Sequence, residues 1–261
     1  MARRISKKKQ KRREEFMLKE KSKVEEGVFD TKTMLTLRRL FSHGVISGLE
    51  FIIAVGKEAD VYLAAAGEKV REEFVIVKIF RVETTGFIRR KEYIIGDPRF
   101  GKVKGNLYNY VNVWCKKEYG NLKIAAALGV RAPVPYAFSG NVLGMQMIGE
   151  EGHPSPSLRN TRLGNPDGVL DYVIEDIRKL YGGGLVHGDI SEYNILMKGN
   201  VPYLIDFGQA VVIRHPHAME FLHRDITNLL AYFERAYGIK RDYDRTLAYV
   251  LSAGKERNGN V

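Results

Sequence analysis

The sequence predicts an α+β chain in two lobes, and three observations carry that reading. Apolar runs with strand character and one long helix fill the first half, while helices surround a short hairpin in the second. Between them lies Gly149–Gly168, which holds three prolines and has the composition of a linker. The length of 261 residues, with 44% hydrophobic and 28% charged side chains, is ordinary globular composition and large enough for a real core.

The elements follow in order. Asp30 caps a predicted helix over Thr31–Phe41, whose apolar positions are Met34, Leu35, Leu37 and Leu40. Phe51–Val55 and Val61–Ala65 read as strands flanking a Gly-Lys-Glu-Ala-Asp loop, and Phe74–Phe80 as a third strand. Residues 81–106 are rich in Gly, Lys and Arg without a clear period, which predicts a long mobile loop. Tyr108–Leu128 has helical spacing, and Asn141–Ile148 reads as a strand. Val169, Val173, Ile177 and Leu180 mark a further helix, stopped by Gly182-Gly183-Gly184. Residues 195–198 and 201–205 form a hairpin through Gly199-Asn200, with Pro202 tolerated at the start of its second strand. The expected divisions are a basic arm at 1–27, a first lobe at 28–148, a second lobe at 149–240, and a C-terminal helix and tail at 241–261.

Charge is unevenly spread. The net charge is +11, and residues 1–23 hold eleven basic and three acidic side chains, leaving only +3 for the rest. With little to bury beyond Phe16, Met17 and Leu18, this arm is expected to be solvated in the isolated protein and to contact a polyanion such as RNA. Aromatics are not interleaved with its cations, so binding should be salt-dependent and weakly selective for sequence. Cys115 is the only cysteine and rules out an intrachain disulfide. No apolar stretch approaches the ~18 residues of a membrane span, and no apolar run follows the basic start. A cytoplasmic monomer without membrane attachment is the expectation.

Lys78 lies inside an apolar strand, where an unpaired ammonium is costly. On the 108–128 helix, Val111, Trp114, Glu118, Leu122 and Ala125 share one face, which puts a carboxylate at a core position. The two satisfy each other best; a structural ion pair is the simpler account, and a lysine held to grip phosphate is the functional one. The second half tips the balance. His187-Gly188-Asp189 is followed five residues later by Asn194, and the hairpin folds Asp206 back beside Asn194. Two carboxylates and an amide oxygen are hard donors suited to Mg²⁺ and its phosphate oxygens, and a carboxylate off the metal can take a hydroxyl proton. His-x-Asp-x4-Asn followed by Asp206-Phe207-Gly208 is the spacing of protein-kinase-like phosphoryl transfer.

The chain further resembles the RIO family of atypical serine/threonine protein kinases, most closely its first subfamily in an archaeal-type short form. The resemblance runs from about Val28 to Tyr237. It rests on Gly56-Lys57-Glu58-Ala59-Asp60-Val61-Tyr62, Gly96-Asp97-Pro98-Arg99-Phe100, Lys116-Lys117-Glu118 and Met147-Ile148-Gly149-Glu150. The later pieces are Ser191-Glu192-Tyr193-Asn194, Ile205 through Ala210, and His215-Pro216-His217-Ala218 with Phe221-Leu222 and Arg224-Asp225. The second subfamily carries an N-terminal winged helix, for which the mostly charged residues before Val28 leave no room. The resemblance implies a bilobal kinase-like fold binding ATP with Mg²⁺ or Mn²⁺. Gly56 and its loop would cover the phosphates, Lys78 would hold them, and Glu118 would position Lys78. The main chain at Gln146 and Ile148 would read adenine. Asp189 would be the catalytic base, with Asn194 and Asp206 on the metal. The family further implies an aspartyl-phosphate, here on Asp206, an ATPase-driven role in small ribosomal subunit maturation, and thus a precursor of rRNA and ribosomal proteins as partner for the arm.

Departures are informative. Ala54 and Val55 stand where the family's phosphate loop has hydroxyl residues, which removes one or two phosphate contacts and implies weaker nucleotide binding. Gly188 replaces the arginine of regulated kinases, and no Ala-Pro-Glu follows Asp206-Phe207-Gly208, so control by activation-loop phosphorylation is not expected. Two other functions compete: a small-molecule kinase of the aminoglycoside or choline type, and a non-enzymatic RNA-assembly factor that only binds ATP. His215, His217 and His223 read as packing and hydrogen-bonding residues rather than metal ligands, Ser191 as a loop-capping hydroxyl, and Cys115 as core. The basic residues of 81–104 fit a solvated loop and an RNA contact equally.

Overall fold

The structure is a computed structural model that describes residues 29–82, 91–101, 103 and 106–258. The basic arm, most of the basic stretch of the predicted 81–106 loop, and the last three residues lie outside the described residues. By its internal contacts the chain forms two units, Met1–Thr84 with Tyr136–Met147, and Thr85–Pro135 with Ile148–Val261.

The first unit is an antiparallel sheet with a helix against it. Helix α1 (Thr31–Ser42) starts where Asp30 accepts hydrogen bonds from the main-chain N–H groups of Lys32 and Thr33, at 2.9 and 3.1 Å. Such a cap is worth ~1 kcal/mol. Strands β1 (Ile46–Val55), β2 (Ala59–Ala66) and β3 (Phe74–Phe80) are joined by β4 (Pro135–Ser139) and β5 (Val142–Gln146) in the order β1-β2-β3-β5-β4. Leu37 and Leu40 of α1 pack on Leu49, Tyr62, Val75, Val77 and Val142. Asn141 is buried with its Nδ2 donating to Thr33 Oγ1 and to the Phe80 carbonyl, both at 2.9 Å, which ties the turn before β5 to α1 and β3. Strand β1 begins five residues earlier than its apolar run suggests, because irregular pairing with β2 absorbs Gly48 and the polar residues around it. Strand β4 is only five residues long and opens on Pro135, a residue that argues against a strand in sequence.

In the second unit, α2 (Leu107–Ala127) precedes a segment expected as plain linker. That segment holds the short pair β6 (Gly149–Glu150) and β7 (His153–Pro154), a 3₁₀ turn at Leu158–Asn160, and the Asn165 cap of α3 (Pro166–Gly182). Then come β8 (Leu185–Val186), the hairpin β9 (Ile195–Lys198) and β10 (Val201–Leu204), and β11 (Val211–Val212), which pairs with β8. Helix α4 (Ala218–Tyr237) ends at Gly238 with φ +70°, and α5 (Tyr243–Asn258) packs along α3. Val173, Ile177, Leu180, Leu185, Leu204 and Phe233 belong to this unit's buried apolar set. Helix α2, assigned from sequence to the first lobe, groups with this unit, and its polar side chains show why.

Candidate active site

In the first unit, Gly56 turns β1 into β2. Its N–H donates to the Ala59 carbonyl at 3.0 Å, and a Cβ there would sit 2.8 Å from that oxygen, so the turn requires glycine. Arg81 braces the same turn with a two-pronged bond to Asp60 at 2.9 and 2.6 Å and a main-chain bond to the Glu58 carbonyl at 2.8 Å. Lys78 stands on β3 opposite Val61 and Leu143, buried to 9% exposure, with its Nζ 5.1 Å from the centre of the Phe80 ring. Gln146 ends β5 opposite Val75.

In the second unit the hairpin brings three predicted residues together. The Ile205 N–H donates to the Asn194 carbonyl at 2.9 Å, which sets Asp206 beside the start of β9. Asn194 Nδ2 donates to the Asp189 carbonyl at 2.9 Å and to Asp189 Oδ2 at 3.0 Å. Gln209, two residues beyond Phe207, adds a second amide donor to the same Oδ2 at 3.1 Å. Asp206 itself adopts φ +63°, a conformation that costs a non-glycine residue ~1 kcal/mol and that asparagine and aspartate tolerate best. Glu118 is buried on α2 and Ile148 is buried with its carbonyl taken by the Ser155 N–H at 2.8 Å.

The loop carrying Asp189 is held from below. Asp225 on α4 accepts the N–H groups of Gly188 and Ile190, at 2.7 and 2.9 Å, and Arg224 donates to the Gly188 carbonyl at 2.5 Å. Complete burial pushes the Asp225 carboxyl up to about 7, while the two N–H bonds and Arg224 pull the other way. His187 is equally buried, its ring edge on Phe207 at 4.7 Å. Its Nε2 meets the Ile205 carbonyl at 3.1 Å and its Nδ1 accepts the Asp189 N–H at 3.3 Å, a pattern that fits the neutral ring. Burial lowers its pKa to about 4.

A polar clamp on α2 fixes the segment after Asp206. Lys117 Nζ donates to the Gly208 carbonyl at 2.9 Å and to the Ala210 carbonyl, and Asn121 Nδ2 donates to the carbonyls of Phe207 and Ala210, both at 2.8 Å. Arg99 in turn reaches Asn121 Oδ1 at 2.7 Å while gripping Asp97 through Nε at 2.9 Å and Nη2 at 2.6 Å. Burial lowers the Lys117 pKa to about 7, with Asp97 opposing the shift. Gly208 needs its missing side chain, since a Cβ would lie 2.5 Å from the Trp114 indole nitrogen.

Roles for Asp97, Arg99, Lys117, Asn121, Gln209 and Asp225 were not readable from sequence, although all but Asn121 fall in a distinctive segment. The available signal was a polar residue on an apolar helix face: Asp225 stands between buried Leu222 and Ile226, and Asn121 beside Leu122. His215 serves packing: its Nε2 meets the carbonyls of Glu92 and Ile95 at 2.9 and 3.1 Å, and its Nδ1 accepts the His217 N–H.

A family model described as the RIO domain matches residues 60–246. The RIO-type serine/threonine-protein kinase Rio1 of Haloferax volcanii is 36% identical, covering 98% of this chain and 89% of its own. The Rio1 of Thermoplasma acidophilum is 40% identical over 73% of this chain and 98% of its own. Among solved structures, the Rio2 kinase of Chaetomium thermophilum in an ADP/Mg²⁺-phosphoaspartate complex aligns with a TM-score of 0.63 at 20% identity, covering 87% of this chain and 76% of that one. This last likeness is one of fold.

Proposed function

The chain belongs to the RIO family of serine/threonine-protein kinases, in its archaeal Rio1 form, and from that premise we propose that it moves the γ-phosphoryl group of ATP using Asp189 and Asp206. The observation that carries this reading is the Asp189 carboxylate with one oxygen fixed by the amides of Asn194 and Gln209. A carboxylate oriented by two donors and braced through Asp225 is suited to accept the proton of an attacking serine or threonine hydroxyl as ADP departs.

The donor chemistry fits Mg²⁺ or Mn²⁺. Asn194 points its NH₂ at Asp189, so its amide oxygen would be the end that meets a cation, with the Asp206 carboxylate as the second donor. Asn194 and Asp206 would hold the metal, which when bound neutralises phosphate oxygens. Lys78 would grip the phosphates, Glu118 would position it, the Gly56 turn would cover them, and the main chain at Gln146 and the Ile148 N–H would meet adenine.

Asp206 is proposed to act as nucleophile in an ATPase cycle. One of its oxygens bonds to the γ-phosphorus, the bond to the ADP oxygen breaks, and water later cleaves the acyl phosphate to inorganic phosphate. The phosphoaspartate of the Rio2 neighbour supports this step. Small ribosomal subunit precursors are the proposed partner, with the basic arm of residues 1–23 meeting rRNA. Incubation with γ-labelled ATP should yield a protein adduct that hydroxylamine removes and that Asp206→Asn lacks. An adduct that survives in Asp206→Asn would move the nucleophile elsewhere.

A further inference from the structure

Next to a turn bonded to the loop of Asp189, the second unit carries a shallow, open cleft of about 430 Å³ lined chiefly by Arg159, Asn160, Thr161, Arg162, Tyr232 and Tyr237. We propose that this cleft is a substrate subsite that takes the carboxylates of an acidic protein segment flanking the phosphoacceptor hydroxyl; the assignment rests on the reading of Asp189 as the transfer site.

The cleft is built rather than incidental. Tyr232 donates to the Leu158 carbonyl at 3.2 Å and Tyr237 to the Thr161 carbonyl at 3.3 Å, so two hydroxyls of α4 pin the main chain that carries the arginines. Thr161 Oγ1 closes the same turn on the Ser157 carbonyl at 2.8 Å. The turn is also bonded to the catalytic loop, since the Arg159 N–H donates to the Glu192 carbonyl at 3.0 Å. Glu192 lies three residues beyond Asp189, so the turn that carries the arginine pair is tied to the loop that carries the base.

Arg159 and Arg162 are exposed and make no ion pair among the described residues, and the Glu192 carboxylate, near enough to act on the Tyr232 hydroxyl, is held by Arg235 at 3.3 Å. No acidic residue among those described lines the cleft. Two such guanidiniums in one lining give it cationic donors, which suit carboxylates in forked geometry.

Protein is favoured over nucleic acid for two reasons. The tyrosine rings are occupied with each other and with Phe233: Tyr232 meets Tyr237 edge-on at 6.2 Å, and Phe233 lies 5.7 Å from Tyr237. They offer no open platform on which bases could stack. The backbone tie to Glu192 also serves a chain that must reach Asp189, a requirement that a bound RNA strand does not share.

The test uses the full-length protein and three labelled probes: a serine peptide flanked by aspartates, its asparagine counterpart, and a single-stranded RNA oligonucleotide. Wild-type protein should bind the aspartate peptide about tenfold more tightly than the asparagine one. Arg159→Ala with Arg162→Ala should erase that margin, and lysine at both positions should restore only part of it, supplying the charge without the fork. The margin should persist in Asp189→Asn, which separates the subsite from the transfer reading. In transfer assays the alanine pair should raise KM for the aspartate peptide by a similar factor, with a smaller change in kcat. Absence of the margin in the wild type, its persistence in the alanine pair, or a loss confined to the RNA probe would each overturn the proposal, the last by assigning the cleft to phosphate backbone.

Discussion

Single residues around Asp189 divide into those that react and those that hold. His187 holds: it is buried, neutral, and bonded on both nitrogens to main chain that leads to Asp189 and Asp206. Its pKa of about 4 lies below the ordinary value of 6.5, so the unfolded chain binds a proton that the folded one refuses. The stability contributed is fully present above pH ~6.5 and is lost as pH falls toward 4, to a total of about 3 kcal/mol. Urea unfolding of wild type and His187→Gln between these limits checks it; the wild type should lose stability faster on acidification, and parallel curves would refute the assignment. The residues legible in sequence here were those with a spacing, His187, Asp189, Asn194 and Asp206. Gln209 was illegible as a partner of Asp189 because its contact depends on the turn at Asp206 with φ +63°.

Elements were legible where period and burial agree. Strand β3 reads as apolar around Lys78, and the β9–β10 hairpin follows from Gly199-Asn200, whose Gly199 has φ +60°. Helix α2 reads as a helix, yet its alliance with residues 207–210 does not, because the main-chain acceptors of Lys117 and Asn121 lie about 90 residues away in sequence. Those two differ in what they stabilise. Lys117 buries a cation at a desolvation cost that offsets much of its two bonds. Asn121 is neutral, satisfies two carbonyls and also accepts from Arg99. Accordingly Asn121→Leu, which removes three hydrogen bonds at once, should destabilise by about 3 kcal/mol, and Lys117→Met by about 1 kcal/mol. Equal or reversed costs in denaturant titration would contradict the clamp as described.

For the whole molecule, 36–40% identity with archaeal Rio1 kinases over 73–98% of the chain establishes a protein kinase rather than an enzyme acting on aminoglycosides or choline. Among the described residues no helix is long and apolar enough to cross a membrane. The charge of +11 separates into +8 on residues 1–23 and +3 elsewhere, which is the ground for proposing polyanion binding by the arm and transfer by the folded units. Deleting the arm should therefore flatten the salt dependence of RNA binding, by a slope of ~0.7 for each phosphate of single-stranded RNA that the arm had neutralised. An unchanged slope would transfer that role to the folded units. The central claim, that Asp189 is the base for phosphoryl transfer, is tested most directly by measuring transfer to serine together with ATP affinity in Asp189→Asn. The account predicts a fall in kcat of roughly 10²–10⁴-fold with ATP bound about as tightly as by wild type; transfer at the wild-type rate would contradict it.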